Sequence, residues 1–90
     1  MEGSGVNRVR VEILGTQYTL RGKESEEHMK QVAKLVDELM RQLSESHSYL
    51  DLKRIAVLTA LNVADELVTL REKYEELTAL LDETTRSEPS

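Results

Sequence analysis

The sequence contains no cysteine among its 90 residues. Disulfide bonds and thiolate metal sites are therefore excluded together, and the composition fits a reducing compartment. A chain of this length forms one domain at most and buries only about 60% of the surface that its unfolded state exposes. Small domains of this kind are usually supported by disulfides, metals or association. Association with another chain is the support that remains.

Aromatic residues, basic charge and long apolar runs are also scarce. Tyrosines 18, 49 and 74 are the whole aromatic content, while leucine and valine are spread through charge-rich segments, as in long helices and coiled coils. Twelve basic against seventeen acidic residues give a net charge of −5, which argues against a general binder of nucleic acids or anionic membranes. No apolar run approaches the ~20 residues of a membrane span, and Met1–Asn7 has no signal-peptide core. We expect a soluble, cytoplasmic protein.

The N-terminal third of the chain predicts a β-hairpin. Apolar and charged residues alternate in Val9–Ile13, which is the period of a half-buried strand. Gly15 and Thr16 form a two-residue turn with glycine first, which suits a type II′ hairpin, and Gln17–Arg21 supplies the second strand. The resulting register pairs Leu14 with Gln17, Ile13 with Tyr18, Glu12 with Thr19, Val11 with Leu20, and Arg10 with Arg21. An isolated hairpin is marginal in water, so its apolar face is expected to pack on another part of the protein.

The middle of the chain predicts an amphipathic helix from about Ser25 to Ser44. Ser25 is a suitable N-cap, and two glutamates follow in the first turn. Apolar residues then recur three and four positions apart, at Met29, Val32, Val36, Leu39 and Leu43. A short polar connection leads to Asp51, which can cap a second helix.

The second helix is predicted over roughly Leu52–Thr84. Its first half, Leu52–Ala64, is apolar on nearly all sides and requires burial on more than one face. From Asp65 onward the apolar residues narrow to one stripe with the a and d spacing of a coiled coil. Thirty-odd helical residues extend about 50 Å, which is more than the hairpin and the first helix can cover. We therefore predict self-association through Ala56, Ala60, Val63, Leu67, Leu70, Tyr74, Leu77 and Leu81.

These elements predict an α+β fold that is oligomeric: an N-terminal β-hairpin, an amphipathic helix, and a long C-terminal helix with a coiled-coil tail. We divide the chain into a disordered leader over residues 1–8, a head over residues 9–64, the coiled-coil tail over residues 65–86, and a disordered end over residues 87–90.

The sequence offers no constellation typical of an active site. The four glycines lie in the leader and at hairpin turns, so there is no phosphate-binding loop. His28 and His47 have no metal-ligand partner at helical spacing, and the adjacent acids Asp65 and Glu66 do not face each other on a helix. We therefore predict a protein that is not an enzyme and has no cofactor, metal or small-molecule substrate.

Two polar features have more than one interpretation. Asn62 lies in the apolar half of the second helix, where it is either hydrogen-bonded toward the hairpin or the loop, or sets the register of a dimer. Arg10 and Arg21 face each other in the predicted register, with Arg8 nearby, and like charges across a strand pair are destabilising. They are either solvated and splayed apart, or they contact an acidic partner.

Four segments occur in an order that resembles one bacterial family. They are the hairpin Val11–Leu20, the helical segment Val32–Met40, the turn Tyr49–Asp51, and the run Ile55–Leu67 with its Ala-Leu-Asn-Val-Ala-Asp-Glu-Leu end. Together they resemble the cell-division ZapA family over about Val9–Arg86. The resemblance implies binding to the tubulin-like GTPase FtsZ, bundling of its filaments and localisation to the division ring at mid-cell.

The resemblance also implies dimers formed through the head and the second helix, which in longer members pair by their tails into tetramers. The tail here ends near Arg86, so a homodimer is the expected assembly and a homotetramer the alternative. The candidate FtsZ-binding residues in this chain are Arg10, Arg21 and Arg41. Two other classes stay open: a ribbon–helix–helix-like DNA-binding dimer, which the hairpin and the acidic charge oppose, and a coiled-coil adaptor with another partner.

Overall fold

The computed structural model describes residues 5–86, with side chains described as far as residue 83. It contains two strands and two helices in the order predicted: β1 (Asn7–Ile13), β2 (Thr16–Gly22), α1 (Glu26–Ser46) and α2 (Leu52–Arg86). Of the leader and the C-terminal end predicted to be disordered, residues 1–4 and 87–90 lie outside the described residues. The predicted α+β architecture of hairpin, amphipathic helix and long helix is confirmed.

The hairpin forms, but the predicted register is wrong. The turn residues are Leu14 and Gly15, with φ of 49° and 84°, as a type I′ turn requires. β2 is therefore shifted by two residues against β1, and the observed pairs are Ile13 with Thr16, Glu12 with Gln17, Val11 with Tyr18, Arg10 with Thr19, Val9 with Leu20, Arg8 with Arg21 and Asn7 with Gly22. A shift of two keeps every side chain on its predicted face, because the side-chain period of a strand is two.

Helix α1 packs against the apolar face of β1. Its start is capped as predicted, since the Ser25 hydroxyl accepts a hydrogen bond from the His28 amide at 3.0 Å. The buried side agrees with the predicted stripe only in part: Met29 is buried as predicted, whereas Val32 is 47% exposed. Ala33 and Met40, which lie beside the stripe, are also buried and belong to the packing surface.

Helix α2 begins at Leu52, as predicted, after the Asp51 cap, whose carboxylate accepts the Arg54 amide at 2.9 Å. Ile55 and Thr59 are buried, and the Thr59 hydroxyl donates to the Ile55 carbonyl at 2.8 Å. The chain divides into two compact units between Thr59 and Ala60. The first unit therefore combines the hairpin, α1 and the first two turns of α2, and the second is the remainder of α2. Within the described chain, neither helix is long and apolar enough to cross a membrane.

The core of the first unit is small, so we expect it to respond strongly to loss of Ile55, which is 1% exposed. Ile55→Ala should lower the free energy of unfolding by about 2–5 kcal/mol, because it removes packed methyl groups and leaves a cavity. Urea denaturation at one fixed protein concentration measures this change. The matched control is Leu35→Ala, which truncates an exposed leucine and should change stability by about 0.5 kcal/mol or less. Equal losses in the two variants would contradict the core assignment.

Candidate interaction surfaces

The residues predicted for self-association lie on α2 and are all exposed in the single chain. In the second unit they recur at alternating spacings of three and four, so they share one side of the helix. Leu70 and Tyr74 are 64% and 70% exposed, which is far more than large apolar side chains retain in a covered position. We call this side the seam: Ala60, Val63, Leu67, Leu70, Tyr74, Leu77 and Leu81.

A second row of exposed apolar residues runs beside the seam in the middle of α2. Leu61 and Val68 are both large and exposed, and Ala64 lies between them at helical spacing. The spacing of three and four was present in the sequence. It agrees with the predicted burial of Leu52–Ala64 on more than one face, whereas Val68 lies in the part where only one stripe was predicted. Over these turns the apolar surface is wider than a coiled-coil seam, and it suits contact with more than one neighbouring helix.

An apolar groove of about 700 Å³ lies in the first unit. Its walls come from β1, β2, α1 and the first turns of α2, and they include Tyr18, Leu20, Val36, Met40 and Ala56. Tyr18 faces the same side of the hairpin as the buried Val9, yet it is 45% exposed. Ala56 is the one predicted interface residue in this unit, so the groove is the candidate self-association surface of the first unit.

The outward face of the hairpin is locally basic. Arg8 and Arg21 are directly opposite each other. Arg10, which was predicted to face Arg21, instead faces Thr19. The Arg10 guanidinium donates a hydrogen bond to the Gln17 side-chain oxygen at 2.7 Å. The hairpin therefore brings Arg10 and Arg21 onto one exposed face together with Arg8, which was noted in the sequence but not chosen as a binding residue.

Arg41 is part of a different arrangement, on α1 beneath the hairpin turn. It donates to Asp37 at 2.7 Å, and the other oxygen of that carboxylate accepts the backbone N–H of Leu14 at 2.8 Å. The Asp37 side chain is 18% exposed and that of Arg41 is 59% exposed. The hydrogen bond from Leu14 and the pairing with Arg41 lower the pKa of Asp37, and the same pair raises the pKa of Arg41. Asp37 was not singled out in the sequence, since its partner Leu14 is 23 residues away.

Across residues 5–83, no three histidine, aspartate or glutamate side chains come together as a metal site. Asn62 is exposed on α2. His47 caps the end of α1 by donating its backbone N–H to the Leu43 carbonyl at 2.8 Å. The exposed apolar seam and the basic hairpin face suit contacts with other protein chains.

Comparison with known proteins gives one consistent family. The family model described as "Cell division protein ZapA" matches residues 9–88. A protein of that name from Bacillus pumilus is 43% identical over 83 residues, which cover 92% of this chain and 98% of the relative. Its counterpart from Bacillus subtilis is 45% identical over 76 residues, which cover 84% of this chain and 89% of the relative.

A solved structure is similar in fold as well as sequence. It is described as a ZapA mutant dimer from Geobacillus stearothermophilus, and it superposes with a TM-score of 0.73 at 40% sequence identity. The similarity covers 91% of this chain and 95% of the other.

The contact between Asp37 and the hairpin turn generates a pH prediction. Because the pKa of Asp37 is lower in the folded protein than its ordinary value of 3.8, ionised Asp37 stabilises the folded state above that value, and the contribution is lost as the pH falls through the folded-state pKa. In an NMR titration, the chemical shift of the Leu14 amide proton should change with an inflection below pH 3.8. Asp37→Asn should abolish this inflection. An inflection at or above the ordinary value would contradict the assigned contact.

Proposed function

Because this chain belongs to the cell division protein ZapA family, we propose that it is a non-enzymatic cell-division regulator that binds FtsZ and bridges FtsZ filaments as a homodimer. It acts in the cytoplasm, at the division ring. The observation that carries the proposal is the seam on α2, whose large apolar side chains are exposed in the single chain.

Self-association follows from the free energy of covering the seam. Burying one leucine-sized side chain contributes roughly 1.5–3 kcal/mol, and the seam repeats such residues over most of the second unit. A second copy presents the same row, so the two surfaces are self-complementary about a two-fold axis. The description of the similar solved structure as a dimer supports this assembly. Pairing of two dimers through their tails would give the tetramer.

Bridging follows from the number of heads. A dimer carries two copies of the first unit and hence two basic hairpin faces with Arg8, Arg10 and Arg21. Two linked sites that each bind weakly to separate filaments hold those filaments together with an avidity that neither site has alone. The hairpin face is basic although the chain as a whole has a net charge of −5. Because complementary charges favour association, the partner surface that this face fits is acidic.

The first prediction concerns the seam. Leu70→Glu combined with Leu77→Glu should shift the protein toward monomer, because it would place like charges in a surface that must lose its water. Sedimentation at micromolar concentration measures the mass. The matched control is Thr69→Glu with Ala79→Glu, which adds the same charge to the same helix outside the seam and should leave the mass unchanged. A seam variant with unchanged mass would refute the seam as the interface.

The second prediction concerns the hairpin face. Arg10→Glu combined with Arg21→Glu should reduce co-sedimentation with FtsZ polymers and bundling measured by light scattering with GTP, since the face becomes acidic. The oligomer mass should not change. Lys30→Glu with Lys34→Glu makes the same change of charge on exposed positions of α1 and is the matched control. Full bundling by the arginine variant would remove the hairpin from the binding surface, and absence of binding by the unmodified protein would refute the function itself.

A further inference from the structure

The hairpin sequence permits two registers that differ by two residues. The hydrophobic pattern cannot choose between them, because a shift of two leaves Val9, Val11 and Ile13 on the inner face in both. In one register the turn is Gly15–Thr16, and in the observed register it is Leu14–Gly15. A contact outside the hairpin can therefore decide which register forms.

Local turn chemistry favours the register that is not observed. A type II′ turn with Gly15 first needs a positive φ only at glycine. The observed turn places Leu14 at a φ of 49°, in the left-handed region that a residue with a Cβ atom rarely adopts. A non-glycine residue in this conformation persists where its surroundings hold it there.

The contact that distinguishes the registers is the hydrogen bond to Asp37. In the observed register Leu14 is the first turn residue, so its N–H lies outside the cross-strand ladder and donates to Asp37 at 2.8 Å. In the other register Leu14 would flank the turn opposite Gln17, and its N–H would donate to the Gln17 carbonyl instead. The Asp37 carboxylate is held in place through its second oxygen by Arg41. We propose that Asp37 is a positioning residue that fixes the hairpin register by binding the Leu14 N–H.

The register decides which charged residues are neighbours on the outward face. In the observed register Arg8 faces Arg21, and Arg10 faces Thr19. In the other register Arg10 and Arg21 would face each other, and β2 would slide along β1 by about 7 Å. Asp37 therefore sets the spacing of the basic face without contacting the partner. This consequence for binding depends on the proposed function, whereas the register assignment does not.

Cysteine cross-linking tests the register directly, because the natural sequence contains no cysteine. Arg10→Cys with Thr19→Cys places two thiols opposite each other in the observed register, and Arg10→Cys with Arg21→Cys does so in the other. Directly opposed residues lie within disulfide range, while diagonal ones are about 7–8 Å apart and cross-link poorly. With Asp37 intact, we expect the first pair to oxidise and the second to stay reduced.

Changing Asp37→Ala should raise the ratio of the 10–21 to the 10–19 disulfide by about tenfold or more, since a charged hydrogen bond is lost. Asp37→Asn keeps an oxygen that can accept the Leu14 N–H, and Arg41→Gln keeps the whole carboxylate, so both should retain most of the observed pattern. Leu14→Gly added to Asp37→Ala removes the left-handed strain and should restore the 10–19 disulfide. This variant also tests the proposal if Asp37→Ala alone is unfolded.

An unchanged disulfide ratio in Asp37→Ala would overturn the proposal, and so would an Asp37→Asn variant that behaves like Asp37→Ala. FtsZ bundling by the Asp37→Ala variant without added cysteines separates this result from the proposed function. A changed register with normal bundling and normal dimer mass would uphold the role of Asp37 and reject the hairpin face as the FtsZ surface.

Discussion

The apolar surface of α2 is the constraint on which the rest of this protein depends. The helix has 35 residues, and its side chains from Ala60 to Glu83 are all exposed in the single chain. In the proposed homodimer, a second chain covers that surface. The same association would supply two heads, and two heads are what the proposed filament bridging needs.

The first unit is limited by the small size of its own hydrophobic core. The buried apolar residues are Val9 from the hairpin, Met29, Ala33 and Met40 from α1, and Ile55 from α2. Polar contacts supplement this packing. The side-chain amide of Asn7 donates a hydrogen bond to the Glu24 carbonyl at 2.7 Å, and Asp37 binds the opposite end of the hairpin through the Leu14 N–H. The hairpin is thus held to the rest of the unit at both ends, and an isolated two-stranded sheet needs such support.

Much of this fold could be predicted because the signals are local. The N-caps at Ser25 and Asp51 and the helical periods placed both helix starts correctly, and strand alternation gave the correct faces of the hairpin. The register of the hairpin could not be obtained in this way, because the alternation of apolar and polar residues is unchanged by a shift of two. Asp37, which we propose to fix the register, lies 23 positions from its partner Leu14. The position of Val32 outside the core has a similar cause, because which part of a broad apolar stripe is buried depends on where β1 packs.

The candidate binding residues fall into two groups according to the contacts that their side chains make. Arg10 and Arg21 lie with Arg8 on the outward face of the hairpin, where a partner can contact them, and their mutual repulsion falls when an acidic surface approaches. Arg41, the third candidate from the sequence, is paired with a carboxylate that also binds the turn. A partner that took Arg41 would have to compete with Asp37 and would loosen the hairpin that carries the other arginines. We therefore infer that Arg41 supports the hairpin turn through Asp37, whereas Arg8, Arg10 and Arg21 form the surface that contacts the partner.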